Sequence, residues 1–240
     1  MRRLMLMTYR SRWLLPVLVI LAALQLAACG DSEADQRKAF VAFLQSVQSQ
    51  QDGKLPTLTE EQKKNFGNFT NDYAILTTFS QQFNQAVSGS LTPMLGQISR
   101  IRVPKDYLTQ RDDLRQSVGA MNLLSQHVQA AKVQADNAHR LLKQPEEVQI
   151  PYERLYARTV IQPTNALLPA IPNAIAFAQS LIQIGDFLQT QGGQVVFNGA
   201  SVQFRTPQQV AQYNSMVAAL PLQQQNLMNA LRGITGVNYP

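Results

Sequence analysis

The one thiol in the chain, Cys29, closes the stretch Leu26-Ala27-Ala28-Cys29, and its setting specifies chemistry more directly than that of any other side chain. An aliphatic residue, two small residues and a cysteine resemble a bacterial lipobox. In that box the thiol is alkylated by a diacylglyceryl group and the peptide is cut between Ala28 and Cys29. The new amine then takes a fatty acyl chain such as palmitate. The residues upstream stand in the order such processing needs. Arg2, Arg3, Arg10 and Arg12 form a basic start with no acid before Asp31, and Leu14 to Leu26 is apolar apart from Pro16 and Gln25. This is the pattern of a secretory signal peptide. The apolar run is too short to cross ~30 Å of hydrocarbon comfortably, so it is not read as a permanent membrane helix. Arg2-Arg3 lacks the rest of a twin-arginine motif.

Residues 1–28 are therefore expected to be a lipoprotein signal peptide, and 29–35 the lipidated Cys with a short tether. Acyl chains contribute about 0.8 kcal/mol per buried CH₂, and two already anchor stably. The expected partner is thus a lipid bilayer, held through acylated Cys29, with the protein facing the periplasm. Gly30, rather than Asp, follows the Cys, which favours the outer membrane over the inner. A six-residue tether reaches only ~20 Å, so the domain should stay near the bilayer.

Other reactive side chains do not combine. Acylation removes Cys29 as a nucleophile. His127 and His139, twelve residues apart on a helix, sit ~120° out of phase and cannot share a metal from one face. Asp112-Asp113 lies among Arg111 and Arg115, and Glu146-Glu147 follows Pro145; both pairs read as solvated charges. Glu153, beside Tyr152 and Tyr156, is the remaining acid candidate for a glycosidase, but an ion pair with Arg154 or Arg158 is the plainer reading. The chain carries no phosphate loop, dinucleotide fingerprint or Gly-X-Ser-X-Gly elbow. The expectation is no catalytic residue, no cofactor and no metal: a protein that is not an enzyme.

Composition agrees. The formal charge is +6, but four of the 21 basic residues lie in the leader, leaving 17 basic against 15 acidic, or +2. Nothing suggests a nucleic-acid surface. With Cys29 acylated, no disulfide can form, so packing must hold the fold.

The elements that must provide this packing are helices. Phe40, Phe43, Leu44 and Val47 keep helical spacing to a stop near Gln51. Thr59-Glu60-Glu61-Gln62 is a capping box opening a helix whose apolar positions run from Phe66 to Val87, through Gly67. A shorter helix is expected from Leu91 to Ile101, and a long one from Asp106 to Gln144 with a small-residue stripe at Ala131, Ala135 and Ala138. Pro151, Pro163, Pro169 and Pro172 should fragment the region after Pro145, leaving a helix over Asn173 to Gln191. The period then changes to that of strands on either side of Asn198-Gly199, a hairpin signal. Thr206-Pro207-Gln208-Gln209 reopens a helix, Pro221 divides it, and 233–240 reads as a frayed tail. The fold class expected is mainly α: a single bundle-like domain over 36–232, built of long amphipathic helices with one small β-hairpin near the C-terminus.

Several stretches resemble the YiaF-like family of enterobacterial lipoproteins: Asp35-Gln36-Arg37-Lys38-Ala39-Phe40, Leu55-Pro56-Thr57-Leu58-Thr59, Asp72-Tyr73-Ala74-Ile75-Leu76, Ile101-Arg102-Val103-Pro104, Gln134-Ala135-Asp136 and Ala138-His139. The resemblance covers essentially the whole mature chain. It implies an envelope lipoprotein of an enteric-type bacterium and carries over no catalytic or ligand residue. The function expected is a non-enzymatic interaction or structural module of the cell envelope, with an envelope protein as possible partner. The alternative is a binding protein for a lipid or other apolar molecule, with the Phe66 to Phe83 stripe lining a cavity. The hairpin is read as a lid on the C-terminal helices, or else as an edge for strand addition.

Overall fold

The computed structural model describes residues 14–50, 54–232 and 234, with side chains from Ser32 onward. Helix α1 (Leu14–Ser49) runs without a break through Cys29 and the segment expected to be a separate tether. Helix propagation costs little once a helix is nucleated, and a single glycine, Gly30, does not stop it between Ala- and Leu-rich sequence and the amphipathic run beyond. Positions 51–53, where the stop was expected, lie outside the described residues. Phe40, Leu44 and Val47 are buried, as their spacing requires.

Thr59 caps α2 (Glu60–Phe66): its hydroxyl accepts the Gln62 N–H, and the Gln62 side chain accepts the Thr59 N–H. Gly67, expected to be carried inside one long helix, separates α2 from α3 (Phe69–Ser99). Its φ of 54° is left-handed, and a Cβ there would meet the amide carbon of Gln36 at 2.6 Å, so only glycine suits the corner. Helix α3 in turn continues through Gly89 and Pro93, where two helices were expected. Leu91, Met94 and Leu95 are buried within this stretch, and their packing outweighs the backbone bond that Pro93 loses.

Asp106 accepts the N–H groups of Arg102 and Val103 at 2.8 and 2.9 Å, folding the Ile101–Pro104 corner back onto α4 (Asp106–Thr109). A break at Gln110 then divides the expected long helix, leaving α5 (Arg111–Arg140), ~45 Å in length. Helices α3 and α5 are antiparallel. The pairs Gln97 with Ser117 and Gln82 with Gln134 mark successive levels along them, and Asp72 with Gln144 follows just past the end of α5.

The prolines do not fragment the next segment. Helix α6 (Glu146–Tyr156) contains Pro151, a π turn spans Ala157–Ile161, and α7 (Gln162–Gln191) contains Pro169 and Pro172. Within the π turn the ladder slips by one residue, Gln162 N–H bonding the Ala157 carbonyl, and Pro163, which has no N–H to give, comes directly after it. A buried stripe that includes Leu167, Ala170, Ile171, Ala174, Ala178 and Leu181 holds α7 in the core. By length and composition Glu146–Gln194 would suffice to cross a membrane, but half of its apolar window is buried inside the bundle. It is the central core helix.

The hairpin forms as expected, with its turn displaced. Strands β1 (Val195–Asn198) and β2 (Ser201–Phe204) are antiparallel, and Asn198 pairs with Ser201, so the loop is Gly199-Ala200 rather than Asn198-Gly199. Gly199 has φ 57° and no described non-glycine residue has positive φ, the pattern of a type II′ turn. Register decides the reason. It turns Val195, Phe197, Val202 and Phe204 toward the core, where Phe204 packs against Phe187 and Tyr213. One face of the hairpin covers the C-terminal helices α7 and α8.

Thr206 and Gln209 form a second capping box, with Pro207 opening α8 (Pro207–Ala218). Pro221 lies in the first turn of α9 (Leu220–Leu231), which packs along α7. Ile234, expected in a frayed tail, is buried and donates its N–H to the Leu231 carbonyl. The other residues from 233 on lie outside the described set. The result is the mainly α bundle with one hairpin that the sequence predicts.

Candidate functional site

Polar and aromatic side chains concentrate where α5 meets α6 and the π turn. An open cleft of about 560 Å³ is lined there by Asp136, His139, Arg140, Glu153, Tyr156 and Ile161. Helical spacing builds both walls. Lys132, Asp136, His139 and Arg140 recur at threes and fours along α5, as do Tyr152 and Tyr156 along α6.

His139 Nε2 lies 2.8 Å from Glu153 Oε1, and its ring stacks on Tyr156 with centroids 4.0 Å apart. Tyr156 donates its hydroxyl to Asp136 Oδ1 at 2.6 Å, while Lys132 Nζ bonds Asp136 Oδ2 at 2.6 Å. Burial alone would raise the Asp136 carboxyl. The hydrogen bonds from Lys132 and Tyr156, with the charges of Lys132 and Arg140, outweigh it and hold the group below the usual carboxylate range. Burial pushes the Tyr156 phenol up, and the adjacent Asp136 carboxylate reinforces the shift. Above this layer, Tyr152 is fully buried and donates to the Asp72 carbonyl at 2.8 Å, its own phenol raised chiefly by burial. Burial likewise raises the Asp72 carboxyl, which the Gln144 hydrogen bond partly offsets.

Three contacts cross between helices: Tyr156 of α6 to Asp136 of α5, Glu153 of α6 to His139 of α5, and Tyr152 of α6 to Asp72 of α3, while Lys132 holds Asp136 from within α5. The arrangement fastens α3, α5 and α6 to one another. Among the described residues, the cleft wall carries no serine, threonine or cysteine beside the His139–Glu153 pair.

Glu153 pairs with His139 rather than with Arg154 or Arg158, the partners its own helix suggested. Arg158 instead turns from the π turn to α1, where its guanidinium donates to the carbonyls of Gln48 and Gln50 at 3.0 and 2.7 Å. Gln48 returns a bond from its amide to the Pro151 carbonyl at 2.5 Å. Pairings between residues on different helices leave no local signal; what could have been read is that the α5 and α6 faces both carry polar and aromatic residues at matching spacing. His127 is exposed on α5, remote from this cleft, and His139 is a boundary residue, 21% exposed. No cluster of three potential metal ligands occurs among the described residues.

The remaining sequence candidates are dispersed. Asp112 pairs with Arg111 and Arg115, and Arg115 reaches Asp186 on α7. Glu147 pairs with Arg37 at 3.6 Å. Phe66, Phe69, Phe79 and Phe83 are packed in the core, Phe69 stacking on Phe40; Phe79 only edges an open groove of about 210 Å³ between α3 and α5, and Phe69 a polar surface depression. Ala28 and Cys29 lie within α1, and their side chains are outside the described set.

Comparison with known proteins places this framework in a family. Residues 17–235 match the model of a family described as "Protein of unknown function (DUF3053)". The chain is 45% identical over 215 residues to "Uncharacterized protein YiaF" of Escherichia coli strain K12, covering 90% of this chain and 91% of that one. The proteins of that name from Escherichia coli O157:H7 and Shigella flexneri match to the same extent. No solved structure matches. With nearly its whole length covered by both comparisons, the chain belongs to the YiaF-like, DUF3053 family.

Proposed function

We propose that the mature chain is a lipid-anchored, non-enzymatic interaction module of the bacterial envelope. It is held through acylated Cys29, faces the periplasm, and sits on the outer membrane in preference to the inner. The observation that carries this reading is the continuity of α1. The helix bearing Cys29 runs directly into the bundle, and its far end is latched by Arg158 and Gln48. An anchor built this way holds the domain at a membrane in a defined pose, which suits presenting surfaces rather than reaching for a distant target. The polar cleft supports the same reading, because Asp136, His139 and Glu153 are engaged in contacts that join α5 to α6, while Lys132 and Arg140 bond within α5. The aromatic stripe, being core, lends no support to a cavity for an apolar ligand.

Two measurements test it. Cys29→Ala should abolish fatty-acid labelling and stop processing at that position; labelling that persists would overturn the anchor. Photo-crosslinking in cells from exposed positions on the hairpin and α5 should capture a discrete envelope protein, and no adduct from any site would overturn the interaction role. Release of fragments from peptidoglycan by the purified domain would replace it with an enzymatic one.

A further inference from the structure

The end of the bundle beside the anchor carries an exposed apolar tip. Ser32, Glu33 and Gln36 of α1 share one shallow depression with Gly67, Asn68 and Lys143, so the α2–α3 corner and the α5–α6 loop meet the helix just past Cys29. Ser32 is three positions along the helix from Cys29, a rise of ~4.5 Å, and Gln36 is ~10 Å along. The polar interfacial layer of a bilayer is itself about 5–8 Å deep on each side. Leu141, at the tip of the α5–α6 loop, is 79% exposed, the most exposed of the large apolar side chains described. Arg140 and Lys143 flank it with long stems that can lie along an apolar surface while their charges stay in water. Glu33 and Asp72 line the same depression as Lys143 and offset this charge, so contact would come from apolar insertion and not from attraction to anionic lipid.

Resting on the lipid-anchored reading above, we infer that this end of the bundle lies on the bilayer, with Leu141 inserted among the headgroups as a second contact beside the acyl chains. The helix α1 would then fix the pose, and the hairpin would point away from the membrane. Arg115 on α5 pairs with Asp186 near the end of α7, just before the hairpin. From Arg115 to Arg140 the helix rises ~38 Å, which sets the distance between the two ends.

The sole tryptophan, Trp13, belongs to the leader, so one introduced tryptophan reports a single site. The test uses the full chain with Trp13→Phe and either Leu141→Trp or Val196→Trp, a hairpin position that is 58% exposed. Both proteins are made in cells that process lipoproteins and are reconstituted into phosphatidylcholine vesicles with brominated acyl chains. Flotation with the vesicles reads the anchor, and failure of both variants to float overturns the lipid-anchored reading together with this inference. When both float, Leu141→Trp emission should shift to the blue and lose most of its intensity, while Val196→Trp emission stays that of a solvated side chain. Equal quenching at the two sites, quenching at the hairpin alone, or none at either overturns the orientation and leaves the anchor standing.

Discussion

The carbonyl oxygen of Tyr107 occupies the space in which a side chain on Gly185 would begin. Helix α4 thus lays its backbone directly on α7, and Arg111 closes the same contact from α5. A Cβ at position 185 would be nearer that oxygen than real Cβ atoms come, and backbone cannot swing aside as a long side chain can. Gly185→Ala should therefore destabilise the protein by about 1–3 kcal/mol, despite roughly 1 kcal/mol of improved helix propensity. Gly89 is the matched control: it lies mid-helix in α3 with open space around it, and Gly89→Ala should stabilise by about 0.5–1 kcal/mol. Urea denaturation of the two variants measures both, and a stabilised Gly185→Ala would contradict the contact.

Arg158 is the latch on the C-terminal end of α1. Replacing it by Ala removes two charge-assisted hydrogen bonds to helix-end carbonyls, a loss of about 1.5–3 kcal/mol. The loosening should be local. Hydrogen exchange should accelerate in the last turns of α1 and leave the α3–α5 seam protected.

The Asp136–Tyr156 pair makes stability depend on pH at both extremes, and the signs differ. Asp136 has a lowered folded-state pKa, so its contribution is present above the ordinary carboxylate value near 4 and is lost as pH falls through the folded value. Tyr73, Tyr152 and Tyr156 have raised values, so theirs is present below about pH 10 and is lost as pH rises further. Stability should be flat near neutrality and fall on either side. Asp136→Asn should remove part of the acid limb. In alkaline titration, tyrosinate absorbance from these three residues should appear together with the loss of helical circular dichroism, and not before it.

The hairpin register makes Gly199, and not Asn198, the residue the turn depends on. Gly199→Ala forces a Cβ into φ 57° and should cost about 1–2 kcal/mol, whereas Asn198→Ala should change stability by less than about 0.5 kcal/mol. Thermal unfolding of the two variants distinguishes this turn from one centred on Asn198-Gly199.

Periodicity alone determined the helical class, the two capping boxes at Thr59 and Thr206, the burial of Phe40, Leu44 and the Phe66–Phe83 stripe, and the place of the hairpin. These arise from local chemistry: a 3.6-residue apolar period, a side-chain oxygen that satisfies a helix N-terminus, and β-branched residues flanking a glycine. The family was legible too, in short stretches spread over the chain. Tertiary contacts decided the rest. Gly89 and Pro93 in α3, and Pro151, Pro169 and Pro172 further on, read as breaks because propensity penalises them, yet burial on α3, α6 and α7 exceeds that cost. Gly67 read as tolerable and is a true corner, since the Gln36 side chain fills the space beside it. The fastening of His139 to Glu153, of Tyr156 to Asp136 and of Arg158 to Gln48 joins residues 14 to 110 positions apart. No spacing rule within one helix can encode such pairs, because they exist only once the helices have chosen their neighbours.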